Sequence, residues 1–341
     1  MRKLDETQKR YQRIRAKHQE KRRSAKWKGR KKRQRFIVET KKIKKRKQAK
    51  KKSIPLSSPT NFSLIQNTDE VLGYFELAKK HLNNDENVTL DISDVENLSP
   101  ESVTLMVASI NNEQFIKNGI VTGNAPSKSK LNKLFTESGF YEHVSANRKF
   151  KKDANGLLHK ETHQKVEPNV AKLALLRGSK HVFATKKVDL GIMYEILIEC
   201  MSNTNSHADL KREGTYYWWL YVYNDPETNI TIYTFLDLGI GIFKSATVQG
   251  FINKTRKSLG MYPHINIVDD LLAGNIKSRV KKDGDIRGKG IPQIVANAKS
   301  DYFRSFYIIA NDIKINLKTG ERQQLQHSLN GTMLYWELEA K

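Results

Sequence analysis

The chain has 341 residues, room for two domains at roughly 100–200 residues each, and 61 Lys and Arg against 36 Asp and Glu give it a formal charge of +25. An apolar share of 38% supports buried cores, and a single cysteine, Cys200, excludes an internal disulfide and a cysteine zinc cluster. No stretch approaches the roughly 18–20 apolar residues of a membrane span, so an integral membrane protein is excluded along with a collagen, a coiled-coil rod and a disulfide miniprotein; a reducing cytoplasm is the expected compartment.

The charge is concentrated. Residues 1–53 hold 26 Lys and Arg and four acids (Asp5, Glu6, Glu20, Glu39), whereas the other 288 positions carry a net +3. Like charges at i, i+4 weaken an isolated helix, and no apolar stripe could dock this segment on a core. It reads as a polybasic arm, disordered or conditionally helical. No apolar run follows it, so it does not read as a secretory signal. Beside a polyphosphate its repulsion is relieved and counterions are released, and Tyr11, Trp27 and Phe36 can stack on bases. Nucleic acid is the expected partner of residues 1–53, with DNA and RNA undistinguished. A solvated tail, a transport signal and an acidic-lipid contact fit the same charge.

Residues 54–60, with Pro55 and Pro59, read as a linker. Strand-like runs at 61–67, 88–92 and 120–123 then alternate with helical patterns at 69–82, 101–116 and 127–138, with Asp69 and Ser99 as N-cap candidates. That alternation predicts a small α/β layer with partly parallel pairing. Val88-Thr-Leu-Asp-Ile-Ser-Asp-Val95 leading into Ser99–Val103, the Gly123-Asn-Ala-Pro126 turn and the Leu134…Ser138-Gly139-Phe140 helix end resemble the STAS domain of anti-sigma-factor antagonists. The resemblance covers 61–147 and implies docking of a protein partner. The family's phosphorylatable serine turn is replaced here by Ser99-Pro100-Glu101-Ser102, which leaves the acceptor missing or displaced. Residues 148–185 read as a connector. His159 and His163 lie in its polar, breaker-rich part and read as surface histidines.

Chemistry is concentrated in the C-terminal half. Residues 188–208 give the clearest helix, with Leu190, Met193, Leu197, Met201, Ile192 and Ile196 as an apolar stripe. Glu199, Asn203 and His207, at i, i+4 and i+8, stack along another line; a polar surface stripe is the bland alternative. A hairpin over 215–223 and 230–236 runs into Asp237-Leu-Gly239-Ile-Gly241-Ile242, a carboxylate followed by glycines that let backbone approach a flat ligand. Arg287-Gly288-Lys289-Gly290-Ile291 precedes Pro292, read as the first residue of a helix whose free N–H groups suit a phosphate. Leu329-Asn330-Gly331-Thr332 begins a closing strand over 332–338.

In this order the four blocks resemble the GHKL ATP-binding family, the Bergerat fold of gyrase B, mismatch-repair ATPases, histidine kinases and anti-sigma-factor kinases. The resemblance spans 186–341 and is nearest the histidine-kinase and anti-sigma-kinase branch. It implies ATP and Mg²⁺ as ligand and cofactor. Asn203 would hold the metal. Asp237 would bind the adenine amino group with Thr332 in support, and Gly239 and Gly241 would make room for the base. Gly288 and Gly290 would cradle phosphates, and Glu199 would orient or deprotonate the nucleophile. His207 belongs to the kinase-like branch with a less fixed role. Residues 243–287 occupy the position of the mobile lid, and Arg279, Arg287 and Lys289 are the candidates for compensating phosphate charge.

The expected fold is thus an α/β STAS-like domain followed by an α+β Bergerat (GHKL) sandwich, behind a basic N-terminal arm. The leading functional expectation is an ATPase switch coupling nucleotide state to a nucleic-acid or protein partner, with subunit pairing to a homodimer in the manner of the family, in a bacterial mobile-element or antiphage setting. The alternatives are an anti-sigma-type serine/threonine kinase and a non-catalytic nucleic-acid-binding protein with an ATP-sensing scaffold.

Overall fold

A computed structural model describes residues 51–113, 115–116, 119–144, 156–162, 166–184, 190–207, 217–247, 263–275, 277–278 and 290–340. The arm, residues 1–50, lies outside them. The described chain runs β1 (Ser53–Ser57), β2 (Asn61–Phe62), α1 (Thr68–Asn83), β3 (Asn87–Asp91), β4 (Asn97–Leu98), α2 (Pro100–Ile110), β5 (Val121–Gly123) and α3 (Ser129–Glu137). After β6 (Gly156–Thr162) come α4 (Pro168–Phe183), α5 (Gly191–His207), β7 (Tyr217–Asn224), β8 (Ile230–Asp237), α6 (Ile242–Ser245) and β9 (Ala246–Thr247). Then follow α7 (Val268–Leu272), β10 (Lys277–Ser278), α8 (Gly290–Ala298), β11 (Phe303–Asn316) and β12 (Arg322–Glu339).

The largest sheet has the order β11-β12-β8-β7-β6 with every neighbouring pair antiparallel. Its inner strands are buried on both faces, which accounts for the unbroken run Trp218–Tyr223. Strand geometry sends alternate side chains to opposite faces. Trp218, Leu220 and Val222 join Tyr233, Phe235, Leu334, Trp336 and Leu338 in one core with α4, α5 and α8. Within it Phe306, Trp336 and Tyr233 stack in sequence, at 5.4 Å and 5.2 Å between centroids. Trp219, Tyr221, Leu236, Ile309 and Met333 form a second core on the other face, with α1, α2, Phe135 of α3 and the parallel β3–β5 pair. Residues 54–341 accordingly make one compact unit in which both helical layers share one sheet.

Several boundaries differ from the sequence reading. The expected linker 54–60 contains β1, an edge strand in the order β1-β3-β5, the position where a sheet tolerates Pro55. The expected connector 148–185 contains β6 and α4. Asn67, not Asp69, is the N-cap residue of α1. The Asp69 carboxylate instead accepts the amides of Gln326 and His327 on β12, at 2.7 and 3.1 Å. Pro292 is the third residue of α8, which starts at Gly290. β2 covers only two of the residues 61–67, and the closing strand is much longer than 332–338.

Candidate functional site

The four sequence blocks meet at two junctions joined by α5. At the first, the start of α8 lies on α5. A Cβ placed on Gly290 would sit 2.6 Å from Glu199 Oε2 and 3.1 Å from Asn203 Oδ1. A side chain there would have to displace the Glu199 carboxylate, so the bare glycine is what lets the backbone entering α8 lie against the carboxylate and the amide. Because the first N–H groups of a helix have no intrahelical partner, this brings unpaired donors, a carboxylate and a carboxamide to one place. Glu199 is half-buried, and burial first, then the charge of Glu195 one turn away, raises its pKa above the usual carboxylate range. Glu195 accepts a hydrogen bond from Asn297 of α8 at 3.1 Å, and Gln293 donates to Asn297 at 3.2 Å, which fixes the two helices side by side.

At the second junction, Asp237 ends β8 directly opposite Thr332 on β12 and Trp218 on β7. Its carboxylate accepts the Gly239 amide at 3.0 Å. Burial pushes its pKa up to about 7, against the opposing effects of that amide and the Thr204 hydroxyl. The Thr204 hydroxyl also stands 3.1 Å from the Cys200 carbonyl, so its one proton serves one acceptor at a time. Gly331 has φ +143° and would place a Cβ 1.9 Å from the Asp237 carbonyl oxygen. That close approach is what its missing side chain permits. Cys200 lies between the two junctions on α5; burial, then the charges of Glu199 and Asp237, raises its thiol pKa well above its ordinary value, so it is a packed thiol rather than a nucleophile.

The glycine loop after Asp237 is fastened by a residue the sequence reading did not select. Asn311, fully buried on β11, donates from Nδ2 to the Ile240 carbonyl at 2.9 Å and accepts the Lys244 amide at Oδ1, 3.0 Å away. It sits at a register irregularity with φ +53°, a conformation that favours Asn among non-glycine residues. Gly241, with φ +85°, packs against it, and a Cβ there would lie 2.5 Å from Asn311 Nδ2. Asn311 is about 70 residues from the loop it holds, beyond the reach of local pattern; the bulge in β11 is the structural sign of it.

Of the expected site residues, the structure thus groups Glu199, Asn203 and Gly290, and separately Asp237, Gly239, Gly241 and Thr332. His207 is the last residue of α5. Its side chain, and Arg279, Arg287, Gly288 and Lys289, lie outside the described residues. The described parts of the expected lid include the antiparallel β9–β10 pair, with Thr247 opposite Lys277. They also include an ion pair from Asp269 to Arg322 and a side-chain hydrogen bond between His264 and Asp312.

Among the described residues no group of three or more His, Cys, Asp or Glu is placed to hold a metal ion. A cation at the first junction would have few protein ligands, Asn203 with Glu199 beside it, and phosphate oxygens would fill much of its shell. An amide oxygen next to a carboxylate beside Gly290 fits that arrangement, since Mg²⁺ commonly takes one or two carboxylates and fills its shell with substrate phosphates and water. Among the described residues no helix is long and apolar enough to cross a membrane. No protein-family model matches the chain, and no curated protein matches it.

Proposed function

We propose that the chain binds Mg²⁺-ATP at the two junctions of α5 and acts as an ATPase switch. The observation that carries this reading is the packing of Gly290 on Glu199 and Asn203, together with the pairing of Asp237 and Thr332 across β8 and β12. These contacts join all four sequence blocks around one helix. Asp237 is the acceptor for an adenine amino group, and its burial strengthens that hydrogen bond by excluding competing water. The α8 start and Asn203 take the phosphates and the metal, which supplies charge neutralisation at the γ-phosphoryl group. Glu199 accepts a proton from the attacking water as the bond from the bridging oxygen to the terminal phosphorus breaks, and its raised pKa suits a base working near neutrality.

Coupling to a partner has a physical route. Asp69 of α1 holds the amides of Gln326 and His327 on β12, and His327 Nδ1 lies 2.7 Å from Glu76 of α1. These contacts fall on the strand that five residues later supplies Thr332. A partner docked on the N-terminal helices would thus act on the strand beside the base. Nucleic acid is the partner whose chemistry fits the 26 Lys and Arg of residues 1–53, and the route through α1 serves a protein partner.

The test is phosphate release from Mg²⁺-ATP by the full chain, with and without DNA or RNA, across salt. Turnover abolished in Glu199→Ala, with folding retained, is expected. Absence of turnover under every condition rejects hydrolysis. Transfer of labelled phosphate to protein in its place would favour the serine/threonine kinase reading.

A further inference from the structure

A second cavity lies on the face of the large sheet covered by α1, α2 and α3, opposite the α5–α8 layer. At about 680 Å³ it opens between α2, α3 and the β7–β8 turn, inside the range of roughly 300–1,000 Å³ typical of small-molecule sites. Glu101 of α2 lines it, although only 1% of this residue is exposed. Its Oε1 accepts the Ser63 hydroxyl at 3.0 Å and, at 3.4 Å, the Ile65 amide. Its Oε2 is buried with no hydrogen-bond partner. Burial raises the Glu101 carboxyl above the usual carboxylate range, against the Ser99 hydroxyl, its own amide, the Ser63 hydroxyl and the Ile65 amide. The single Ser99 proton is shared with the Phe62 carbonyl and Ser102. A buried carboxylate oxygen left without a partner is both costly and rare in folded proteins, and such an atom beside a roomy cavity calls for a donor.

The rest of the lining specifies the donor's charge. Glu96, Glu137, Asp225, Glu227 and Glu337 join Glu101 against Lys130 and Lys133 in the lining. Lys128 and Arg304 beside it pair with Glu96 and Glu337 at 3.6 Å, so the negative excess rests on Glu101 and Asp225. Both lysines are already engaged, Lys130 with Glu227 at 2.5 Å and Lys133 with Glu137 at 3.8 Å. Lys314 donates to the Ile65 carbonyl and places a positive charge near Glu101 without an ion pair to it. Tyr221, Tyr223 and Tyr335 also line it, and tyrosine rings attract organic cations. A hard divalent metal would need about six oxygen ligands, and one free carboxylate oxygen among tyrosines does not provide them. An alkylammonium group needs a single anionic anchor and accepts aromatic walls.

We propose that this cavity binds a small organic cation carrying a primary ammonium group, with Glu101 as its charged anchor and the tyrosines as its walls. The polybasic arm works against nonspecific accumulation of cations on this protein, so saturable uptake would report a local site.

The experiment is isothermal calorimetry of the full chain at constant ionic strength with 1,4-diaminobutane and n-butylamine, and with 1-butanol as the uncharged probe. Saturable binding of both amines but not of the alcohol is expected. Glu101→Gln keeps the Oε1 acceptor and removes the charge, and should weaken binding at least tenfold with its melting transition retained. Tyr223→Leu, at the half-exposed rim, should weaken it about threefold or more, and decides the matter if Glu101→Gln does not fold. No saturable binding of either amine, equal binding of butanol, or unchanged affinity in the variant that folds would overturn the proposal. Nucleotide plays no part in these readings, so they stand or fall apart from the ATP site.

Discussion

Replacing Asp237 by Asn should make the protein more stable at pH 8 while weakening its hold on ATP. In the folded chain burial pushes this carboxyl from an ordinary 3.8 to about 7. The folded state therefore keeps a proton that the unfolded chain has released, and stability falls by about 1.4 kcal/mol per pH unit between those values. The contribution is fully present below pH 3.8 and lost as pH rises through about 7, an accumulated loss of about 4 kcal/mol at 1.36 kcal/mol per unit. Asn has no such titration. The stability difference, Asp237→Asn minus wild type, should then grow by about 4 kcal/mol from pH 4 to pH 8, with other titrating groups cancelling in the subtraction. Urea unfolding of both proteins at a series of pH values measures it. In the same variant an amide NH₂ faces the adenine amino group where a carboxylate oxygen accepted its hydrogen. Loss of a hydrogen bond to a charged group, about 1.5–3 kcal/mol, means roughly 10–100-fold weaker nucleotide binding. A stability difference that stays flat from pH 4 to pH 8 would refute the reasoning about burial at this position.

Three other substitutions and one truncation probe the remaining parts. Gly290→Ala puts a methyl group 2.6 Å from Glu199 Oε2; the flexible Glu199 side chain can swing away at little cost in stability, and ATP turnover should fall more than tenfold in protein whose circular dichroism and melting transition are unchanged. Gly331→Ala meets the Asp237 carbonyl oxygen at 1.9 Å in a backbone conformation alien to alanine, so a stability loss of about 3 kcal/mol or failure to fold is expected in thermal unfolding. Asn311→Ala leaves the Ile240 carbonyl and Lys244 amide without partners, a loss of about 1–3 kcal/mol, and should raise the dissociation constant for nucleotide more than it alters global stability. Deletion of residues 1–53 should abolish duplex binding by filter retention. In the intact chain, contact of about eight of its basic residues with phosphates would give a slope of about −7 in log K against log salt.

The legible parts of this chain were those whose pattern is local. The apolar spacing of Val71, Leu72, Phe75, Ala78 and Leu82 marks α1, all five being buried, and Met193, Leu197 and Met201 do the same for α5. The hairpin of β7 and β8 was legible from its turn, where Asp225 caps the Glu227 amide at 3.0 Å. α4 was missed because Leu173 and Leu176 are exposed on its outer face while small residues, Ala171, Ala174 and Gly178, face the sheet. Gly178 is there to admit the Tyr233 hydroxyl, which would lie 2.0 Å from a Cβ. β1 was hidden by its proline. Nothing local says that Trp218 and Trp219 enter two different cores, so the sharing of one sheet by both helical layers could not be read from neighbouring residues.

The site follows the same division. Glu199 and Asn203 share a helix line, and Asp237 and Gly241 share a loop, so their spacing was visible. The contacts of Gly290 with α5, of Thr204 with Asp237 and of Asn311 with the glycine loop each join residues from 33 to nearly 100 positions apart, and only folding brings them together.

Titration calorimetry of the folded full chain with ATP and ADP at saturating Mg²⁺ addresses the nucleotide reading most directly. The account predicts saturable uptake of one nucleotide per chain, weakened in Asp237→Asn and in Gly290→Ala. Well-folded protein that takes up neither nucleotide would contradict it.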